Sequence, residues 1–238
     1  MLILSLSFGI IPRFIFSQND TIWLENPSFE SAYHGPGYVP KPWLNCGFEG
    51  ETPPDVQPGA FGVTLIPADG DTYLGLVTRQ NRSWEAIGQR LKHAFIPGFN
   101  YHWSIRLARD TVYLGANRSS PKDSINHLAP VLIRIWSGRR PCERKELLAV
   151  SAPIQHHEWQ DVSFHFAPKQ KGNRYLLIEV IAAGALGREP GHVLMDDAAP
   201  IVGFPPGNMA KDADPDVLRQ LAKSRIKYLK DLKQVKRK

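Results

Sequence analysis

Cysteine is scarce in this chain. Only Cys46 and Cys142 occur in 238 residues, and neither belongs to a CxxC or CxxH pair, which excludes a zinc site built on cysteine. Long apolar runs are also missing. The most apolar stretch, residues 1–17 (MLILSLSFGIIPRFIFS), holds an uninterrupted run of about 12 residues, short of the ~20 that span a bilayer. Between residues 18 and 205 no segment sustains apolar residues at i, i+3, i+4 and i+7, so the body lacks amphipathic helices. There is no GxSxG elbow, no HExxH and no glycine-rich phosphate cradle, and the common hydrolase and nucleotide signatures are therefore absent. His156 and His157 are adjacent, and on a strand adjacent side chains point to opposite faces, which argues against a shared metal. Asp55 and Glu85 are a candidate acid pair whose separation the sequence leaves open.

The body also lacks net charge. The chain carries +6, but ten basic and four acidic residues between Lys211 and Lys238 account for all of it. A nucleic-acid-binding body should itself carry a basic stripe, so nucleic acid is not an expected partner.

What remains divides into four parts. Residues 1–17 read as a secretory signal with cleavage near Ser17, although no basic residue precedes the apolar run; a buried N-terminal strand is the alternative. Export would place Cys46 and Cys142 in an oxidising compartment, where a disulfide and two buried thiols both remain open. Residues 18–202 show short β-branched and aromatic runs separated by Gly, Pro, Asn and Asp, with strands expected over 21–30, 60–66, 71–79, 84–93, 100–110, 129–137, 145–152, 158–167, 174–183 and 192–201. Tyr101, Trp103, Ile105 and Leu107 alternate onto one face, as do Val162, Phe164 and Phe166. Ten strands without intervening helices predict an all-β, antiparallel jelly-roll β-sandwich. Two long segments, 31–59 and 111–128, interrupt the rhythm, and loops of that length are usually functional or disordered. The aromatics Tyr33, Tyr38, Trp43 and Phe48 favour an ordered first loop.

A Gly/Pro linker over 203–213 leads to a C-terminal basic amphipathic α-helix over 214–238. Asp214 can cap it, Pro215 suits the first helical position and Asp216 complements the dipole. Val217, Leu218, Leu221, Ala222, Ile226, Leu229 and Leu232 fall on one half of the helix, with Arg219, Lys223, Lys227 and Lys230 on the other. Three placements remain open: against the body or a partner helix, on an anionic membrane or lipopolysaccharide surface, or as a solvated extension. The tail reads as separable, so that removing residues 208–238 should leave the sandwich folded.

NPSFE at 26–30, ADGDTYLGL at 68–76, WEAIGQRL at 84–91, PGFNYHWSIRLAR at 97–109 and VLMDDAAPI at 193–201 occur in an order that resembles the galactose-binding-like jelly rolls of carbohydrate-binding modules. PWLNCGFEGETPPDV and DGDTYLGLVTR look more particularly like secreted sandwich domains of Bacteroidetes. The resemblance covers about residues 20–202. It implies that the first and last strands lie side by side. It also implies a structural calcium held by Glu30 and Asp196, with Asp69 or Asp71 supplying further oxygens, consistent with the hard oxygen ligands calcium takes. Solvated strand-end carboxylates and a plain Asp-Gly turn are the alternative.

Sugars present apolar C–H faces rimmed by hydroxyls, so a glycan site needs aromatic platforms and planar polar groups. Trp43 and Trp84 are the candidate platforms, with Asp55, Arg79, Glu85 and Arg109 as hydrogen-bonding partners. The expected function is that of a secreted, non-catalytic module binding a polysaccharide or cell-surface glycan. The rival is an assembly component of the cell envelope that contacts protein through the sandwich and the basic helix.

Overall fold

The computed structural model describes residues 20–117, 120, 122–206 and 214–235. The expected signal, residues 1–17, and most of the linker lie outside them. The chain begins with β1 (Asp20–Ile22), β2 (Leu44–Asn45), β3 (Asp55–Gln57), a 3-10 turn (Ala60–Gly62) and β4 (Tyr73–Thr78). β5 (Ala86–Arg90), β6 (Asn100–Ala108), β7 (Leu114–Ala116), β8 (Ser124–Asn126) and β9 (Val131–Gly138) follow. β10 (Glu146–Val150), β11 (Gln160–Phe166), β12 (Tyr175–Ala182), β13 (Gly191–Asp196), β14 (Ile201–Phe204) and the helix α1 (Pro215–Val235) complete it.

Two antiparallel sheets make the sandwich. One is ordered β1-β14-β6-β13-β4-β3, with β11 on the remaining edge of β6; the other is β10-β9-β12-β5-β2. The small hairpin β7–β8 stands apart. β1 pairs with β14, so the first and last strands are neighbours. This is a jelly-roll β-sandwich followed by a C-terminal helix.

The alternation read along the chain builds the core. Tyr101, Trp103, Ile105 and Leu107 of β6 are buried, with Phe164 and Phe166 of β11 beside them on the same sheet. Ile133 and Ile135 of β9 and Leu176, Ile178 and Val180 of β12 close the core from the other sheet. β12 is buried on both faces because Cys46, Trp84 and Trp136 cover Leu177 from outside. Cys46 and Cys142 form a disulfide there, with Cα atoms 5.1 Å apart. Closing a loop of 96 residues is worth about 4–5 kcal/mol in the chain-entropy account.

Three expected strands differ. The first stops at Ile22, because Asn26 and Phe29 take positive φ (49° and 53°) and the Asn26 side chain brackets Glu30. The Glu30 N–H donates to Asn26 Oδ1, and Asn26 Nδ2 donates to the Glu30 carbonyl. Residues 60–66 form no strand; glycines at 59 and 62 with positive φ turn the chain instead. The last expected strand splits at Asp197 (φ 45°) into β13 and β14. Both still run along one edge of β6, β14 on residues 100–102 and β13 on residues 106–108.

The helix begins as its sequence predicts. The Asp216 N–H donates to Asp214 Oδ1 and the Leu218 N–H to the Asp214 carbonyl. Its docking follows the apolar arc only in part. Ala222 of the arc is 8% exposed, but Val217 is 51% exposed and Ile226 38%, while the basic Arg219 is 3% exposed. An acidic surface on the body explains the burial of Arg219. Arg219 donates to the Asp197 carbonyl at 2.7 Å and pairs with Asp161, Asp197 and Asp216. Lys223 Nζ lies 2.6 Å from Asp69 Oδ1.

Candidate binding cleft

β4 presents Tyr73, Gly75 and Val77 to the outside of its sheet, opposite the core residues Leu74 and Leu76. Over this outer face lie the turn after β3 and the β7–β8 hairpin, and between them is a cleft of about 410 Å³. That is within the usual size of a small-molecule site. Pro36, Gly37, Thr52 and Gln80 contribute to its rim, and Asp55, Phe61, Arg79, Tyr113 and His127 supply its chemistry.

Tyr113 anchors the roof. Its ring lies flat on the sheet because residue 75 is glycine: a β-carbon there would fall 2.8 Å from Tyr113 Oη. Its hydroxyl donates to Asp55 Oδ2 at 2.5 Å, while the Gly37 N–H donates to Asp55 Oδ1 at 2.8 Å. Burial pushes the Asp55 carboxyl above its usual range, opposed by these two donors and by Arg79. Burial, reinforced by Asp55 and Glu85, also raises Tyr113 well above the normal phenol range, so Tyr113 keeps its proton.

Phe61 forms the exposed aromatic surface. It stacks on Tyr113 with ring centroids 5.9 Å apart and planes 19° from parallel, yet it is 40% exposed. Its backbone sits at φ 56°, which is strained for a bulky residue. Gln57 Oε1 holds the turn by accepting the Ala60 N–H at 3.0 Å. Strain held in place beside a cleft points to a functional role for the side chain.

Arg79 forms the opposite chemistry. Its Nη2 donates to Glu85 and, at 2.9 Å, to Thr52 Oγ1, and its Nε is 3.7 Å from Glu51. Glu85 is 1% exposed and lies beneath Arg79, where it also accepts the Val77 N–H at 3.0 Å. Burial pushes its carboxyl up to about 8, with Arg79 opposing the shift. His127 packs its ring over Gly115, which leaves no room for a β-carbon, and burial lowers its pKa. His192 supports it from behind. The His192 Nδ1–H donates to the His127 carbonyl, and Nε2 accepts the Asp110 N–H at 2.9 Å. Burial lowers His192 to about 4, so it is neutral in that arrangement.

Of the residues singled out from sequence, Asp55 and Arg79 line the cleft together and Glu85 supports Arg79. The other three sit elsewhere. Trp43 is 3% exposed in the core, its ring tilted against Phe29 and its indole N–H donated to the Asn26 carbonyl, and it presents no face to a ligand. Trp84 lies outside the second sheet, against Phe48 and the Arg144 guanidinium. Arg109 is buried and donates to the Leu128 carbonyl. Phe61, Tyr113 and His127 were not singled out. Tyr113 and His127 fall in the long segment 111–128 that length alone marked as functional or disordered, and Phe61 was placed in an expected strand.

The calcium ligands implied by the resemblance do not fit an ion. Glu30 accepts the Asp71 and Thr72 N–H groups. Asp196 accepts those of Ala68, Asp69 and Asp197. Asp69 is taken by the Ser28 hydroxyl and Lys223, and Asp71 is exposed. Among the described residues no group of three or more His, Cys, Asp or Glu is arranged to hold a metal. The positive charge at this surface comes from Arg106, Arg219 and Lys223.

No family model matches the chain, and no curated protein does. Solved structures align over most of it. An apo cyclase from Fischerella has a TM-score of 0.49 at 11% identity, covering 80% of this chain and 98% of its own. The CBM22-1 xylan-binding domain from a Paenibacillus barcinonensis protein has a TM-score of 0.44 at 13% identity, covering 75% and 92%. The C-terminal CBM6 of a marine laminarinase from Zobellia galactanivorans has a TM-score of 0.36 at 11% identity, covering 68% and 98%. Likeness at this level leaves the functional reading to rest on the cleft itself.

Proposed function

We propose that this protein is a secreted, non-catalytic module that binds an uncharged glycan in the cleft over β3 and β4. The observation that carries the reading is Phe61, an exposed ring held at a strained φ and backed by Tyr113, beside the paired polar groups Asp55 and Arg79. An apolar face next to fixed donors and acceptors is what a sugar ring presents in complement.

Charge narrows the ligand. Among the described residues lining the cleft, Arg79 and His127 are the basic side chains, and Asp55 is the carboxylate. Glu51 pairs with Arg79 at 3.7 Å and Glu85 accepts its hydrogen bond, while burial lowers the pKa of His127. Among the described residues the cleft lining offers no further positive charge for a uronic acid or a sulfated sugar. The same inventory supports the non-catalytic reading. Glycoside hydrolysis uses two carboxylates facing one bond, and Glu85 lies buried beneath Arg79 rather than in the cleft lining.

The disulfide supports an oxidising compartment, and among the described residues no helix is long and apolar enough to cross a membrane. The rival assembly reading would draw on the outer face of the helix, where Val217 and Ile226 stay exposed, since Arg219 is committed to the body. A glycan array carrying neutral and acidic polysaccharides tests the proposal. Wild type should bind neutral polysaccharides and Phe61→Ala should not. Silence across the neutral set, or preference for acidic chains, would count against it.

A further inference from the structure

Two more exposed rings border the cleft. Tyr33 is 46% exposed and Tyr38 39%, with centroids 5.2 Å apart at 61°. They belong to the segment before β3, whereas Phe61 belongs to the turn after it. That segment runs antiparallel beside residues 54–56: Gly35 and Val56 exchange both backbone hydrogen bonds at 2.9 Å, and the Tyr38 N–H donates to the Pro54 carbonyl at 2.9 Å. The alignment places Pro36 and Gly37 in the cleft lining and puts the Gly37 N–H on Asp55.

Tyr33 is bound to that lining. Its hydroxyl donates to the Pro36 carbonyl at 3.2 Å. Its ring covers Gly35, where a β-carbon would lie 3.0 Å from the hydroxyl oxygen. The exposed tyrosine pair is therefore continuous with the cleft through Pro36. Neither ring is needed to fill the core, since both lie outside the buried clusters.

We propose that Tyr33 and Tyr38 form a second sugar subsite, so that the ligand is held as a chain running from the cleft across this pair rather than as a single terminal unit. The inference rests on the glycan reading of the cleft. The occupant is the same uncharged chain, because the platform adjoins Asp55 and adds rings and hydroxyls without adding a cation.

Titration calorimetry with mono- to hexasaccharide series from neutral xylan, mannan and β-glucan tests it. Wild-type affinity should rise with chain length. Tyr33→Ala/Tyr38→Ala should lose about tenfold on the long members, in line with truncating an aromatic anchor, and nothing on the shortest member that binds. Phe61→Ala should weaken every length. Tyr33→Phe/Tyr38→Phe should keep most of the long-chain affinity, and it serves as the readout should the alanine pair misfold. A double alanine variant, folded by its melting midpoint, that follows the wild-type length dependence would overturn the subsite and leave the cleft reading standing. No binding of any series by wild type would overturn both.

Discussion

Phe61 concentrates the argument at the scale of single residues. A bulky side chain at φ 56° costs on the order of 1–3 kcal/mol unless the surroundings hold it. Glycine takes that conformation without strain. Phe61→Gly should therefore lose glycan binding while its melting midpoint stays level or rises. A fall in midpoint comparable to a core deletion would show that the ring serves packing instead. His192 gives a pH test. Its folded pKa of about 4 lies below the unfolded value near 6.5, because burial disfavours the charged ring. Its contribution to stability is thus present above pH 6.5 and is lost as pH falls from 6.5 towards 4. Glu85 acts in the opposite sense: its carboxyl is raised to about 8, so its contribution is present below about 4.5 and is lost as pH rises towards 8. Comparing wild type with His192→Gln isolates the histidine. The stability advantage of wild type should shrink by about 3 kcal/mol between pH 6.5 and pH 4 in denaturant titrations, and a constant gap would exclude the neutral His192 arrangement.

The helix shows what an element can hide. Its start is local chemistry, and Asp214, Pro215 and Asp216 do there what their residue types favour. Its docking depends on carboxylates brought together from the ADGD turn, β11 and the end of β13. Arg219 meets Asp197 where both side chains are under 5% exposed, so removing the cation leaves the buried carboxylate answered by Arg106 alone, at 3.4 Å. Arg219→Ala should lose about 3–5 kcal/mol by chemical denaturation, whereas Val217→Ala, at an exposed position, should stay within about 0.5 kcal/mol. The helix thus rests against the body, one of the three placements its sequence left open. With cations of the chain meeting these acids, the wild-type melting midpoint should not move on adding calcium or EDTA, and a rise with calcium would restore the ion the resemblance implies.

Over the whole molecule, the disulfide joins the segment after β2 to the one after β9 and covers the outer face of β12. Cys46→Ser/Cys142→Ser should lose about 4 kcal/mol, and the same loss should follow full reduction of wild type, both read in denaturant titrations. The strands β4, β5, β6, β9, β10, β11 and β12 were legible because short β-branched and aromatic runs stand between turn residues, with a period of two written into β6 and β11. So was the helix start, for the same local reason. Asp55 and Arg79 were legible as chemistry, and the long segments were legible as candidates for function. Sequence could not tell that Trp43, in a loop-like segment, is core and that Phe61, in an expected strand, is surface. Exposure depends on what distant chain covers a side chain. Tyr113 reaches Asp55 across 58 positions, and Arg219 reaches Asp161 across another 58. The sequence by itself determined the sandwich, its alternating core and the start of its helix, because periodicity and capping act between near neighbours. Only the tertiary structure decided which aromatic rings stay exposed, which acids share a cation and where the helix rests, because those depend on long-range packing that no local pattern specifies.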